Sequence, residues 1–168
     1  MEDFCQLDQR LTEDKYKGSY ERCAKIIKQY SSRVGIDITE FFIRLAFCFI
    51  VGNSDMHLKN FSLIETAEGS GEYVLSPAYD LLPVNAIIPA DKEQFALAMN
   101  GRKANIRKSD FLKFAENCDI TLSTAKKLIR SVVRHSPKWM EMCDKSLLPY
   151  ELKKRLNKII AERTDCLK

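Results

Sequence analysis

Glycine is scarce in this chain. Six glycines are spread over 168 residues, and none builds a loop able to wrap a phosphate group. Gly69-Ser70-Gly71 comes nearest. It has no third spaced glycine and lies between two strand-like runs, so it reads as a hairpin turn. A strand lysine placed to hold two phosphates opposite a helix glutamate is also missing. The two histidines lie far apart, and none of the six cysteines forms a Cys-x-x-Cys pair. A zinc site is therefore not expected, and free thiols in an intracellular protein are the simplest account. No basic-then-apolar leader opens the chain. The longest apolar run, Phe41 to Gly52, is too short to span a bilayer and carries Arg44. We expect a buried helix there and no membrane partner. Internal repeats and low-complexity tracts are absent.

What is present supports a folded core. Apolar residues make up 45% of the chain and charged residues 30%, a balance that excludes a disordered tail. The length fits one domain, or one lobe of a larger one. A net charge of +4 suits an acidic ligand such as a nucleotide. It does not call for direct nucleic-acid binding, and ordinary surface lysines account for it as well.

The pattern predicts a mainly helical fold. Ser19 should cap a helix carrying Tyr20, Cys23, Ile26, Ile27 and Tyr30 at helical spacing. Gly35 should separate it from a central helix capped by Asp37 or Thr39 and running to about Val51. Gly52-Asn53 ends that helix. Phe61 to Ile64 and Tyr73 to Leu75 read as two short strands joined by a turn. A further short strand is expected near Gln94 to Met99. Three helices follow: one over 110–118 capped by Ser109, a longer one capped by Ser123 that Pro137 should end or kink, and a last one over about 149–165.

The chemistry concentrates in Gly52-Asn53-Ser54-Asp55-Met56-His57-Leu58-Lys59-Asn60-Phe61-Ser62. Asp55 precedes Asn60 by five residues, and Asp80 follows the expected hairpin. Phosphoryl transfer needs such a set. One carboxylate orients the proton of the attacking hydroxyl, while an amide oxygen and a second carboxylate hold Mg²⁺. His57 is expected to brace the loop through Asp80 or a backbone carbonyl. Lys59 either neutralises the transferred phosphoryl group or is a solvated loop lysine. Asn53 and Ser62 read as loop-bracing groups. The candidate catalytic residues are Asp55, His57 and Lys59. Asn53, Lys59 and Tyr79 are candidate cofactor contacts, and Asn60 and Asp80 are candidate metal ligands. Each also has a structural reading as a turn or cap residue.

The run Gly52 to Ser62, the block Ser76-Pro77-Ala78-Tyr79-Asp80 and the segment Leu97-Ala98-Met99-Asn100-Gly101-Arg102-Lys103 together resemble the C-terminal lobe of HipA-family kinases, the toxin kinases of bacterial toxin–antitoxin systems. Glu2-Asp3-Phe4-Cys5-Gln6 and Lys15-Tyr16-Lys17-Gly18-Ser19-Tyr20 resemble that family's entry into this lobe. The resemblance implies that residues 1–168 form a single helical C-lobe of a protein-kinase-like fold, with a small β-hairpin carrying the catalytic loop. By resemblance, Asp55 is the catalytic aspartate, Asn60 a metal ligand, and Asp80 the counterpart of the aspartate in the kinase Asp-Phe-Gly motif. ATP and Mg²⁺ are the implied cofactors, and a protein serine or threonine the acceptor. A helix-turn-helix antitoxin and an ATP-clamping N-terminal lobe, absent from this sequence, are the implied partners, and the cytoplasm the location.

Two other readings stay open. Asp55-x-His57-x-x-Asn60 is also similar to the loop of aminoglycoside and choline kinases, which act on small molecules. Those loops carry His-Gly before the aspartate, where this chain has Asn53-Ser54. Alternatively, the lobe is catalytically silent and serves binding or regulation.

Overall fold

The fold follows from where the apolar residues fall, and the computed structural model describes all of residues 1–168. β1 (Glu2–Asp3) leads into α1 (Phe4–Leu7). α2 (Tyr20–Tyr30) starts where Ser19 Oγ accepts the Arg22 N–H, as its type and position predict. It buries Tyr20, Cys23, Ala24, Ile26 and Ile27.

α3 (Val34–Val51) is the central helix, and ten of its residues are buried. It starts before Gly35, so the expected cap at Asp37 or Thr39 is not used. Asp37 instead lies wholly buried and accepts three bonds: from Ser31 Oγ at 2.7 Å, Arg33 Nε at 3.0 Å and the Leu75 N–H at 2.7 Å. Gly35 is tolerated in the first turn, where no atom lies within 4 Å of its missing Cβ.

β2 (Ser62–Glu65) and β3 (Tyr73–Leu75) form the expected hairpin, in register Leu63↔Leu75 and Glu65↔Tyr73. β1 adds a third strand beside β2, giving an antiparallel sheet of order β1-β2-β3. Two residues of strand leave no periodic signal, and only long-range pairing shows them. Arg44 is buried on α3 and donates Nη2 to Ser76 O at 2.7 Å, so α3 grips the chain as it leaves β3.

Short α4 (Val84–Ile87) and an irregular stretch follow. Gln94 to Met99 is not a strand. It makes only isolated bridges, Ser19 to Ala98 and Met99 to Arg102, while Phe95, Leu97 and Met99 are buried from a loop. Alternating apolar residues gave the strand signal, but no neighbouring strand exists to complete it. α5 (Lys108–Asn117) begins one turn-position before the expected Ser109 cap, with Asp110 Oδ2 accepting the Arg107 N–H.

α6 (Leu122–Lys145) is capped by Thr121 rather than Ser123 and runs through Pro137. Proline removes the N–H that would reach the Val133 carbonyl. Ser136 Oγ donates to that oxygen at 2.9 Å, so the carbonyl is not orphaned and the helix continues. α7 (Tyr150–Leu167) closes the fold against α3 and α6. One cluster of 37 buried apolar residues extends from Phe4 to Leu167. At its centre Tyr20, Phe41, Phe61 and Phe95 meet edge to face, with Phe41 and Phe61 5.0 Å apart and Tyr20 and Phe95 4.9 Å apart. No helix is long and apolar enough to cross a membrane.

Candidate active site

The polar loop begins because α3 has to stop. Gly52 takes φ +80°, and a Cβ there would stand 3.2 Å from Ile159 Cγ2 on α7. Only glycine meets both demands. The next N–H, of Asn53, returns to Cys48 O at 2.9 Å and satisfies a terminal helix carbonyl.

Two buried asparagines then tie the loop to the segment after β3. Asn53 Oδ1 accepts the Asp55 N–H at 3.2 Å, and its Nδ2 donates to Asp80 O at 3.3 Å. Asn60 Nδ2 donates to Asp55 O at 3.1 Å and to Asp80 Oδ2 at 2.9 Å. Tyr20, wholly buried on α2, donates its hydroxyl to Met56 O at 3.1 Å and supports the loop from beneath. Asp80 has φ +54°, a left-handed conformation that aspartate tolerates better than most residues. Such strained residues concentrate at functional sites.

The Asp55 carboxylate accepts the Tyr16 hydroxyl at 2.8 Å. Burial, reinforced by that bond and by the charge of Asp55, pushes the Tyr16 phenol up to about 12, so it remains a donor. Tyr16 lies 39 residues upstream, and nothing local in the sequence marks it as Asp55's partner.

His57 is buried, with its ring edge-on to Tyr16 at 5.0 Å. The expected bond to Asp80 or a backbone carbonyl is absent, and its Nδ1 is buried without a partner. Burial, with help from Lys15, holds its imidazole below the ordinary value, against the opposing pull of Asp55. The ring wedges the loop by packing, not by hydrogen bonding.

Lys59 Nζ pairs with Asp3 Oδ2 at 2.8 Å, which ties the loop to β1. Tyr79 stands 2.6 Å from Ser62 Oγ and donates to Lys59 O at 2.8 Å. The geometry thus gathers Asn53, Asp55, Asn60 and Asp80 into one bonded group, while Lys59 and Tyr79 are engaged with Asp3 and Ser62. Ser54 turns the other way, donating to Asp91 Oδ2 at 2.6 Å. Ser54, Asn85 and Asp91 form a buried network that sequence reading did not find, because its members are 31 and 37 residues apart.

The donor set suits a hard cation held partly by its ligand. No three His, Cys, Asp or Glu side chains cluster as a complete metal cage. Mg²⁺ does not need one, since it takes one or two protein oxygens together with phosphate and water oxygens. Asn60 Oδ1 and Asp80 Oδ1 make no hydrogen bond within the protein, so an amide oxygen and a carboxylate oxygen of the two bonded residues are left free.

Comparison with known proteins bears on the family and the fold. A protein of Sinorhizobium fredii, provisionally named a kinase, is 39% identical over 101 residues, covering 60% of this chain and 23% of its own length. A provisionally named kinase of Haemophilus influenzae is 26% identical over 147 residues, covering 78% and 42%. The chain therefore spans less than half the length of these relatives. Among solved structures, HipA in the Shewanella oneidensis complex of HipA, HipB and operator DNA superposes with TM-score 0.83 at 16% identity, covering 97% of this chain and 42% of HipA. The Helicobacter pylori proinflammatory kinase CtkA superposes with TM-score 0.68 at 18% identity, covering 99% and 64%. These likenesses establish a mostly helical, kinase-like fold with a small antiparallel sheet. The HipA-like C-terminal domain matches residues 1–140, and the chain belongs to that family.

Proposed function

We propose that this chain is the catalytic lobe of a HipA-like serine/threonine protein kinase, and that residues 1–168 act as one unit. One observation carries the reading: a single amide nitrogen, Asn60 Nδ2, joins the Asp55 backbone to the Asp80 carboxylate. That contact makes the candidate base and the candidate metal ligand parts of one rigid group. Phosphoryl transfer depends mainly on such positioning and on charge neutralisation.

In this reading Asp55 accepts a hydrogen bond from the acceptor hydroxyl and takes its proton as the oxygen attacks the γ-phosphorus of ATP, while the bond from that phosphorus to the β,γ-bridging oxygen breaks and ADP leaves. Tyr16 holds one Asp55 oxygen, which leaves the other for the substrate. Asn60 Oδ1 and Asp80 would hold Mg²⁺. When bound, the ion draws charge off the phosphate oxygens. Asn53 braces Asp80 through its carbonyl and contributes to the cofactor side of the loop. Lys59 reaches a phosphoryl group only by leaving Asp3. Tyr79 stiffens the strand end beneath the nucleotide.

An N-terminal lobe supplies the cover over the triphosphate, since this chain encodes no glycine-rich phosphate loop. The natural setting of the kinase is the cytoplasm, as one half of a toxin–antitoxin pair with a helix-turn-helix antitoxin. The named HipA–HipB assembly of the Shewanella structure supports that partner.

The test is transfer of labelled phosphate from Mg-ATP to protein serine or threonine. The chain alone should bind ATP weakly and transfer little, whereas addition of the cognate N-terminal lobe should restore Mg-dependent transfer. No transfer by the combined lobes to any protein or small-molecule acceptor would favour a silent regulatory lobe. Transfer to aminoglycosides or choline alone would favour the small-molecule reading.

A further inference from the structure

Between α7 and residues 85–105 lies a cavity of about 530 Å³, within the size range of small-molecule sites. Asp55, Asn60 and Asp80 do not line it. Its walls carry Lys92, Arg155, Lys158 and Arg163, facing only Asp91 and Glu162, an excess of two positive charges. Asp91 is already engaged by Ser54 Oγ, and Glu162 stands 3.8 Å from Lys158. Arg155 uses only Nε, on the Glu151 carbonyl, which leaves its terminal nitrogens free. The Arg163 guanidinium lies 5.4 Å from the ring of Phe49, which is wholly buried behind it, and half-buried Ile159 contributes an apolar wall.

We propose that this cavity binds a small organic anion through a phosphate group, and that its occupancy acts on the loop carrying Asp55. A phosphate monoester carries close to two negative charges at neutral pH, which matches the local excess. Paired guanidinium nitrogens fit phosphate oxygens two at a time. Ile159 and the aliphatic stems of Arg155 and Lys158 offer apolar surface to the organic part.

The link to the loop is continuous. Arg163 Nη2 donates to Asn85 Oδ1 at 2.6 Å. Asn85 Nδ2 donates to Ser54 Oγ at 3.2 Å, and the Asn85 N–H donates to Gly52 O at 2.9 Å. Arg163 Nη1 also donates to Phe49 O at 2.8 Å, so an anion that draws the guanidinium toward itself competes with both Phe49 O and Asn85. Asn85 holds both the first turn of the loop and the residue beside Asp55. Binding at this cavity goes beyond the kinase reading and does not depend on it.

The experiment is a calorimetric titration of the chain with pyrophosphate and with glucose 6-phosphate, with succinate as a control at equal ionic strength. Saturable one-to-one binding of both phosphates is expected. Arg155→Ala with Lys158→Ala, both exposed positions, should weaken it at least tenfold without changing the melting temperature. Asp80→Asn should leave it unchanged. Absence of saturable binding overturns the site, as does loss in Asp80→Asn without loss in the cation variant. Succinate binding as tightly as the phosphates overturns the phosphate assignment. Hydrogen exchange of residues 52–60 should change when glucose 6-phosphate binds, and should not change in Asn85→Ala. Unaltered exchange in the unsubstituted chain overturns the link to the loop. A failed phosphate-transfer assay leaves these binding results intact, so the two readings fail separately.

Discussion

Asn60 Nδ2 stands 2.9 Å from Asp80 Oδ2 and 3.1 Å from the Asp55 carbonyl oxygen. With Asn53, this side-chain amide sets the distance between a loop that follows α3 and a segment that follows the hairpin. Its nitrogen is committed to the protein and its oxygen is free, which orients that oxygen for a hard cation.

Asp55→Asn should abolish turnover of the kinase completed by its N-terminal lobe while sparing nucleotide affinity. Removing a positioned base costs about 10²–10⁴ in rate. Steady-state transfer paired with ATP titration separates the two effects. Transfer at the unsubstituted rate would remove Asp55 from the mechanism.

Asp80→Asn should act on the other quantity. Loss of a charged metal ligand should weaken Mg-ATP binding by tenfold or more, about 1.4 kcal/mol. Binding of ATP in EDTA should change little. Equal affinity for Mg-ATP in both proteins would exclude Asp80 as a ligand.

Asp37→Ala tests how the hairpin is held on α3. It removes the acceptor for Ser31, Arg33 and the buried Leu75 N–H. The expected loss is about 2 kcal/mol, mainly from the orphaned Leu75 amide, since Arg33 is half exposed and regains water. Urea denaturation gives the value, and a change under about 1 kcal/mol would contradict the role assigned to Asp37.

Gly52→Ala should cost about 2 kcal/mol, since alanine is strained at φ +80° and its Cβ meets Ile159. Ile159→Ala in the same chain should recover only the steric part. Full stability in the single variant would mean that the end of α3 adapts.

Acid should destabilise the fold through His57. Burial lowers its folded-state pKa beneath the unfolded value near 6.5. The unfolded chain then binds more protons between the two values, so stability is complete above about pH 6.5 and declines as pH falls below it. Denaturation midpoints at pH 7.5 and 5.5 measure this. His57→Gln should show a smaller drop, and an identical drop would assign the effect to other groups.

Short-range patterns in the chain were sufficient for most helices and for the hairpin. Apolar spacing in 20–30 and around Leu128 to Val133, the Ser19 cap and the Gly52 stop all depend on neighbours within a turn or two. That the helix continues past Pro137 instead of ending there depends on a side chain, Ser136, whose rotamer no periodicity reports. Gln94 to Met99 alternates like a strand, yet strand formation needs a partner ladder that the fold does not offer there.

The sequence by itself determined which residues are candidates for chemistry, because Asp55 to Asn60 is one loop and its side-chain types are visible in order. Tertiary structure alone decided how they are held. Tyr16 reaches Asp55 across 39 residues, Asn53 reaches Asp80 across 27, and Arg163 reaches Asn85 across 78. It also left His57 without the expected hydrogen bond and gave Lys59 to Asp3. Such pairings depend on how helices and strands stack around the shared core. That stacking is a property of the whole buried cluster, and no stretch of chain short enough to read as a motif contains it.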